Sequence, residues 1–481
     1  DAGSSDAGSS DAGSSDAGSS DAGSSPVVTV APTLSPADAA CAVTAAIPDD
    51  GRNDRDAIQA ALTSKGCAYL RAGVYDIDTP SFTPPARRVY QMLQVANARL
   101  FGDGETTVLR FRGSAGGQDW QGIRMTGTNA SLHDLAINTA AISNTDEQTH
   151  AVRVLGPATA PSIFHVSFDH PQRGEPGGDC VQLVGYAATP ITGARITRNQ
   201  FDHCDRSGVA IHSGTSDLEI SDNIFADTGD QDIDGEGTGE NYDWLITRNA
   251  FALGPTPQGV WAIQLQGLDR ARITDNVFAG RGIFAYSASN LEIDHNQITR
   301  SSGVLATAVV EIAKASSRVN VHHNTITREL AVGPGQVIRA APHGSGTPDH
   351  VTVSDNVIIQ QTTGDIINAS GIVGLTVERN QITYTGAPGV AMGVQSNGSA
   401  GTYAIRTTDI QVNNNLWTGA LRAVVAVSGS YAGCGTVSAT GNTASVTGLW
   451  CTNIATGGKV LGPVGASTNT WLASSCGTLI Q

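Results

Sequence analysis

The densest chemistry in the chain lies in seven residues, Asp230-Gln231-Asp232-Ile233-Asp234-Gly235-Glu236. On a strand, Ile233 faces one way and Asp232 and Asp234 the other. Their carboxyls would then lie about 7 Å apart, which leaves room for a water between an acid and a base. Neighbouring like charges push pKa values apart, so Asp232 and Asp234 are expected as an acid/base pair, with His212 and Glu236 in support. The same run reads Asp-x-Asp-x-Asp-Gly, the opening of a calcium loop. Asp230, Asp232 and Asp234 are therefore also candidate Ca²⁺ ligands, although the twelfth position of such a loop is Asn241 rather than Glu. A solvated acidic edge is the third reading.

What must position these residues is a repeat. An aliphatic residue, two polar residues, Asn, any residue and an apolar residue recur from Ile196-Thr197-Arg198-Asn199-Gln200-Phe201 onward. The asparagines stand at 199, 223, 249, 276, 296, 324, 356, 380, 415 and 442, with gaps of 20 to 35 residues. A period of twenty-odd residues that tolerates insertions marks a solenoid. Coils stacked at the strand spacing superpose their turn residues, so the asparagines are expected to bond rung to rung and to take the left-handed turn conformation. A second family of short strands alternates with them. It places an outward column of Gln182, His212, Asp232/Asp234, Gln264/Gln266, Phe284/Tyr286, Glu311 and Arg339. Amides, acids, an imidazole and aromatics in one column suit a sugar, and Gln182, Gln264, Gln266, Tyr286, Glu311 and Arg339 are the candidate substrate-binding residues. Trp244 and Trp261 are read as core or end packing before sugar platforms.

Composition narrows the partners. The chain has 481 residues and a formal net charge of −16. That disfavours nucleic acid and anionic membranes, which need basic patches, and no apolar run approaches a membrane span. A polysaccharide is the expected partner and a monomer the expected state. Residues 1–25 are five copies of Asp-Ala-Gly-Ser-Ser, a flexible acidic stretch that reads as a lipid-linked or surface tether, or as a plain disordered tail. The chain opens on Asp1 rather than Met, as expected of a processed product. Seven cysteines without a metal-ligand spacing are expected as disulfides of a secreted or cell-surface protein, paired Cys41–Cys67, Cys180–Cys204 and Cys434–Cys451.

Near the N-terminus, Asp50-Gly51-Arg52-Asn53-Asp54, then Ala57-Ile58-Gln59-Ala60-Ala61-Leu62, then Tyr69-Leu70-x-x-Gly73-x-Tyr75, and Leu100-Phe101-Gly102-Asp103-Gly104 follow one another. This order resembles the entry segment of the pectate-lyase-like superfamily. The resemblance implies an all-β fold, a right-handed parallel β-helix of roughly ten or more coils, whose open end is plugged by a short helix. Asn53 or Asp54 would cap that helix and Gly66 would end it. The division expected is a tether over 1–25, a linker over 26–44, the β-helix over 45–430 and a C-terminal cap over 431–481.

Three functions follow. The first is hydrolysis of glycosidic bonds by the carboxylate pair. Asn144-Thr145-Asp146 and Gly178-Asp179-Cys180 are similar to acid motifs of the polygalacturonase family, but that family's Gly-His-Gly and Arg-Ile-Lys are missing. The second is a uronate lyase or epimerase using Ca²⁺ and a base such as Arg206, Arg339 or Lys314. The third is a non-catalytic adhesin that binds glycans. Among other residues, His203-Cys204-Asp205-Arg206 reads as a turn with an Asp205–Arg206 ion pair.

Overall fold

The chain coils as a right-handed parallel β-helix in this computed structural model. It describes residues 35–480 apart from 81–88, 145, 147, 171–177, 253–260, 301–307, 330–334, 344–345, 363, 396–407, 429–436, 446–449, 454–459, 462–468 and 476–477. The tether over 1–25 and Cys434 lie outside the described residues.

One coil from the middle shows the unit. Strands Gly282–Tyr286, Ser289–Asp294 and Gln297–Arg300 follow one another around the axis. Each pairs in parallel with its counterpart a coil later, Val310–Ala313, Ser317–His322 and Thr325–Arg328. Alternation sends every second side chain inward. Val181, Val209, Ile233, Ile263, Ile283, Val310 and Ile338 stack in register and are all buried. Phe168, Phe201, Phe225, Phe251 and Phe278 form a second internal stack with ring centroids 4.6–5.0 Å apart. These phenylalanines are the apolar residues that close the repeat unit.

The asparagines form the expected ladder. The backbone N–H and the Nδ2 of Asn249 both donate to Oδ1 of Asn276, at 2.9 and 3.0 Å, and Asn276 repeats this on Asn296 at 3.0 Å for both. Each Nδ2 also donates to the carbonyl of an aliphatic residue one coil back, as Asn276 does to Ile246. The ladder runs unbroken from Asn199 to Asn442. The expectation that these asparagines are themselves left-handed is not met. The left-handed residue is the one before each of them: Arg198, Asp222, Arg248, Asp275, His295, His323, Asp355, Arg379 and Asn414. The ladder Asn is thereby freed to keep a backbone N–H aimed at the next coil.

At the N-terminal end, helix Arg55–Lys65 lays Ile58, Ala61 and Leu62 on the core, and Gly66 ends it in the left-handed conformation. Asp54 stands at the N-cap but makes no side-chain cap bond. Its carboxylate accepts instead from the N–H of Ile47 and of Asp76, which ties the helix to the first coil. The disulfides Cys41–Cys67 and Cys180–Cys204 are formed. The second links neighbouring coils one repeat apart. Parallel pairing continues to strand Trp450–Asn453, and the antiparallel strands Asn469–Ser475 and Thr478–Ile480 follow. Among the described residues no helix is long and apolar enough to cross a membrane.

Because Asn276 donates or accepts at several buried groups, Asn276→Ala leaves at least two of them unpaired, at about 1–3 kcal/mol each. Unfolding free energy measured in denaturant is expected to fall by about 2–5 kcal/mol, whereas Gln297→Ala, an exposed neighbour, should change it by less than about 0.5 kcal/mol.

Candidate functional site

The outward column exists and is continuous. In register it runs Gln94, Arg124, Arg153, Gln182, Ala210, Asp234, Gln264, Phe284, Glu311, Arg339 and Asn368. Beside it, two residues further along each strand, His212, Glu236, Gln266 and Tyr286 stack in a second column. Every candidate substrate-binding residue therefore lies on one face.

Asp232 departs from it. Strand Ile233–Thr247 begins one residue later, and in the bend before it the Asp232 side chain turns inward. It is fully buried, with its Oδ1 accepting from Arg281 at 2.6 Å and from the Thr228 hydroxyl at 2.6 Å. Arg281 is itself 1% exposed and also donates to the Thr228 hydroxyl and to the carbonyl of Asp230. Burial raises the Asp232 pKa to about 6, with Arg281 and Thr228 opposing the shift. The expected Asp232/Asp234 pair on one face is thus not assembled. The three carboxylates of the calcium reading diverge as well, since Asp232 is held inside by Arg281 while Asp234 faces out. Among the described residues no group of three or more His, Cys, Asp or Glu side chains is gathered to hold a metal ion.

The carboxylates that do share the outward face are Asp234 and Glu236, flanking Gly235. Gly235 occupies the inward position, where the Trp244 ring approaches so closely that a Cβ would meet it at 3.1 Å. Trp244 is core, its indole N–H bonded to the Thr215 carbonyl. A side chain at 235 would push against that ring, so the glycine lets the acid-bearing strand lie flat on it. Asp234 is only 3% exposed. Burial, and then the charge and hydrogen bond of Glu236, raise its pKa to about 8. Burial and the adjacent Glu236 carboxyl both favour the protonated form of Asp234. Gln264 on the next coil donates to Asp234 at 3.2 Å.

His212, one coil earlier, brings Nδ1 to 3.6 Å from Glu236. Its Nε2 lies 3.1 Å from the Gln182 amide nitrogen, so it accepts there and the ring proton sits on Nδ1, toward Glu236. Burial holds the His212 pKa below its ordinary value, with Glu236 opposing. Beneath lies a buried support. Asp179 takes two hydrogen bonds from Arg206, at 2.9 and 3.2 Å, and its backbone N–H donates to His150 Nδ1 at 3.2 Å. Despite full burial, His150 and Arg206 hold the Asp179 pKa down to about 2. The Arg206 charge in turn opposes the rise at Asp234. The expected Asp205–Arg206 turn pair is replaced by this bond to Asp179. The Cys180–Cys204 disulfide, flanked by Asp179 on one coil and Asp205-Arg206 on the other, draws the two coils together. Their equal spacing with the asparagine repeat was the available signal. Arg281 gave none, because nothing in the chain links position 281 to position 232.

Toward the C-terminal side the face becomes aromatic. Trp261 stacks on Phe284 at 5.3 Å, Phe284 tilts on Tyr286 at 5.7 Å, and Lys314 lies 4.5 Å over the Tyr286 ring. Trp261 is 6% exposed and serves as backing for Phe284. One coil on, Arg339 bonds Glu311 at 2.8 Å. The polygalacturonase-like Asn144 bonds Thr149 and the Gln118 carbonyl as a corner residue, and Asp179 is wholly buried. Neither faces the acid pair's column. A separate cleft of about 270 Å³ lies by the asparagine corner, lined by residues such as Glu105, Asp134, His165, Arg198 and Asp222.

No family model and no curated protein sequence matches the chain. Solved structures do. The tailspike gp61 of Pseudomonas phage phi297 is 10% identical over 80% of this chain and 78% of that one, with a TM-score of 0.54. A tailspike mutant of E. coli bacteriophage HK620 in complex with a pentasaccharide is 12% identical over 84% and 78%, with a TM-score of 0.48. The A-module of the Azotobacter vinelandii mannuronan C-5 epimerase AlgE4 is 15% identical over 85% and 96%, with a TM-score of 0.43. At these identities the likeness is one of fold.

Replacing Arg281 strands a buried carboxylate. Arg281→Leu is expected to cost about 3–5 kcal/mol of unfolding free energy, and Asp232→Leu/Arg281→Leu to recover most of that loss, as read by denaturant unfolding at pH 8. A double-variant loss equal to the sum of the Arg281→Leu and Asp232→Leu losses would mean that the two side chains are uncoupled.

Proposed function

We propose that the protein is an exported polysaccharide-active enzyme that cleaves glycosidic bonds, with Asp234 as the general acid and Glu236 as the carboxylate that activates water or attacks. The observation that carries this is the pair itself: two carboxyls two residues apart on one strand, in register with a column of amides and aromatics. Cleavage needs a proton donor for the departing oxygen and a charged carboxylate beside the reacting carbon. Asp234 keeps its proton at neutral pH because it is buried next to a negative neighbour. His212, neutral and with Nδ1–H toward Glu236, orients that carboxylate. A glycan lying across the pair replaces the Asp234–Glu236 hydrogen bond with one from Asp234 to the glycosidic oxygen. Gln264 and Gln182 hold the two ends of this constellation, and Phe284 and Tyr286 offer rings on which a sugar face can stack.

The disulfides suit an oxidising compartment. The resemblance of the entry segment to the pectate-lyase-like superfamily agrees with a carbohydrate substrate. Fold alone does not decide chemistry, so the assay must. Incubation with a panel of polysaccharides is expected to release reducing ends without the ultraviolet absorbance of unsaturated uronates. Such absorbance would identify a lyase, and glycan binding without either product would identify an adhesin.

With Asp234 the acid, activity should fall as pH rises through about 8, where the donor proton is lost. Asp234→Asn should lower kcat by about 10²–10⁴-fold and Glu236→Gln comparably, with thermal unfolding of Asp234→Asn at pH 5 little changed. A pH–rate profile flat from 6 to 10, or full activity in Asp234→Asn, would contradict the assignment. The stability sign is separate. A carboxyl whose folded pKa is raised contributes stability below its unfolded pKa, near 4, and loses it as pH rises through about 8. Asp234→Asn should therefore unfold less readily than the parent at pH 9, relative to pH 5.

A further inference from the structure

Two arginines on the acid pair's own column stand in no ion pair among the described residues, although the more distant Asp119 and Asp179 favour the charge on Arg153. Arg124 and Arg153 follow one another in register, and Arg153 is followed by Gln182, Ala210 and Asp234. They stand four and three coils from Asp234, on the order of 19 and 14 Å along the axis at the usual strand spacing. Among the described residues neither makes an ion pair. Most arginines of this protein behave otherwise: Arg110, Arg112, Arg195, Arg206, Arg248, Arg270, Arg272, Arg339 and Arg379 each lie against a carboxylate, whereas the exposed Arg318 bonds the Asn290 amide. Arg124 donates only to the Gln91 amide oxygen, at 3.1 Å. The Nε of both Arg124 and Arg153 is buried without a hydrogen-bond partner.

Both side chains are half-buried, so their heads are held near the surface rather than loose in solvent. Stacking two like charges on adjacent coils costs free energy, and in a chain of net charge −16 acidic partners are not scarce. Burial and the neighbouring Arg124 both disfavour the charge on Arg153. An anion placed across the two guanidinium groups relieves the repulsion and supplies acceptors to donors that lack them, in the planar fork geometry that suits oxyanions.

We infer that Arg124 and Arg153 form an anion subsite of the polysaccharide groove, taking an acidic group of the glycan, a carboxylate or a sulfate, three to four coils from the Asp234–Glu236 pair. This rests on the proposed groove but not on the chemistry of the acid pair. It also assigns a direction: the acidic group lies on the N-terminal side of the pair and the stacked sugar on the aromatic, C-terminal side. A net-acidic protein can then hold an acidic polymer, because its field is reversed locally.

The test measures binding rather than turnover, on full-length Glu236→Gln so that no probe is consumed. The probes are alginate, polygalacturonate and hyaluronan, each beside its carboxyl-reduced counterpart, and heparin as a sulfated arm. Glu236→Gln is expected to bind at least one acidic polymer at least tenfold more tightly than its reduced counterpart, or heparin more tightly than desulfated heparin. Which arm responds identifies the oxyanion. Adding Arg124→Gln and Arg153→Gln should abolish that preference and flatten the salt dependence, while affinity for the reduced polymer stays within twofold. Thermal unfolding checks that the coils persist, and Arg153→Lys should restore part of the preference. Binding of no polyanion, or an acidic preference that survives both substitutions, would overturn the subsite. Loss of activity in Asp234→Asn bears on the acid pair and leaves this result unaffected.

Discussion

Parallel pairing between successive coils is the constraint on which the rest of the protein depends. Each strand must find its counterpart about 4.8 Å along the axis, and a slip of one residue would exchange core for surface. The asparagine ladder enforces the register. Each Asn has its backbone N–H and Nδ2 fixed on the next Asn and a further bond to the coil before. These groups are buried, so any other register leaves them unpaired at a cost of about 1–3 kcal/mol each. The residue before each Asn takes the strained left-handed turn, and aspartate, arginine and histidine share this duty. Asp222–Arg248 and Asp355–Arg379 then face each other as ion pairs on successive coils.

Register is also what assembles the surroundings of the proposed acid pair. Asp234 and Glu236 are ordinary residues of a strand until stacking sets His212 before Glu236 and Gln264 after Asp234. Gly235 allows the strand to rest on Trp244, and the Asp179–Arg206–His150 cluster places a fixed positive charge near a buried carboxyl. The Arg206 charge opposes the rise at Asp234, but burial and the neighbouring Glu236 outweigh it and the pKa stays raised, a shift set by surroundings rather than by residue type.

Much of this was legible in the amino-acid sequence. The repeat located the coils, the apolar alternation identified the inward residues, and the column from Gln182 to Arg339 was placed on the correct face. The two disulfides among the described residues followed from spacing. What failed failed for local reasons. Asp232 has the same parity as Asp234 and is bonded through its backbone to both neighbouring coils, but it stands in the bend before strand Ile233–Thr247, where its side chain is buried. Arg281 then captures Asp232 from 49 residues away, a contact that no pattern encodes. Arg206 was assigned to its sequence neighbour Asp205, whereas the neighbour that matters is Asp179, across the Cys180–Cys204 link. On this strand it is Asp234 and Glu236, not Asp232 and Asp234, that share the outward face.

The claim on which the functional reading turns is that Asp234 carries a proton at neutral pH. Titration of the full-length protein with ¹³C-labelled aspartate carboxyls, followed by NMR from pH 4 to pH 10, measures it directly. One aspartate resonance is expected to titrate near pH 8, to vanish in Asp234→Asn and to shift to lower pH in Glu236→Gln. If every aspartate that titrates does so below pH 7, and Glu236→Gln moves none of them, Asp234 is ionised in the resting protein and cannot be the acid.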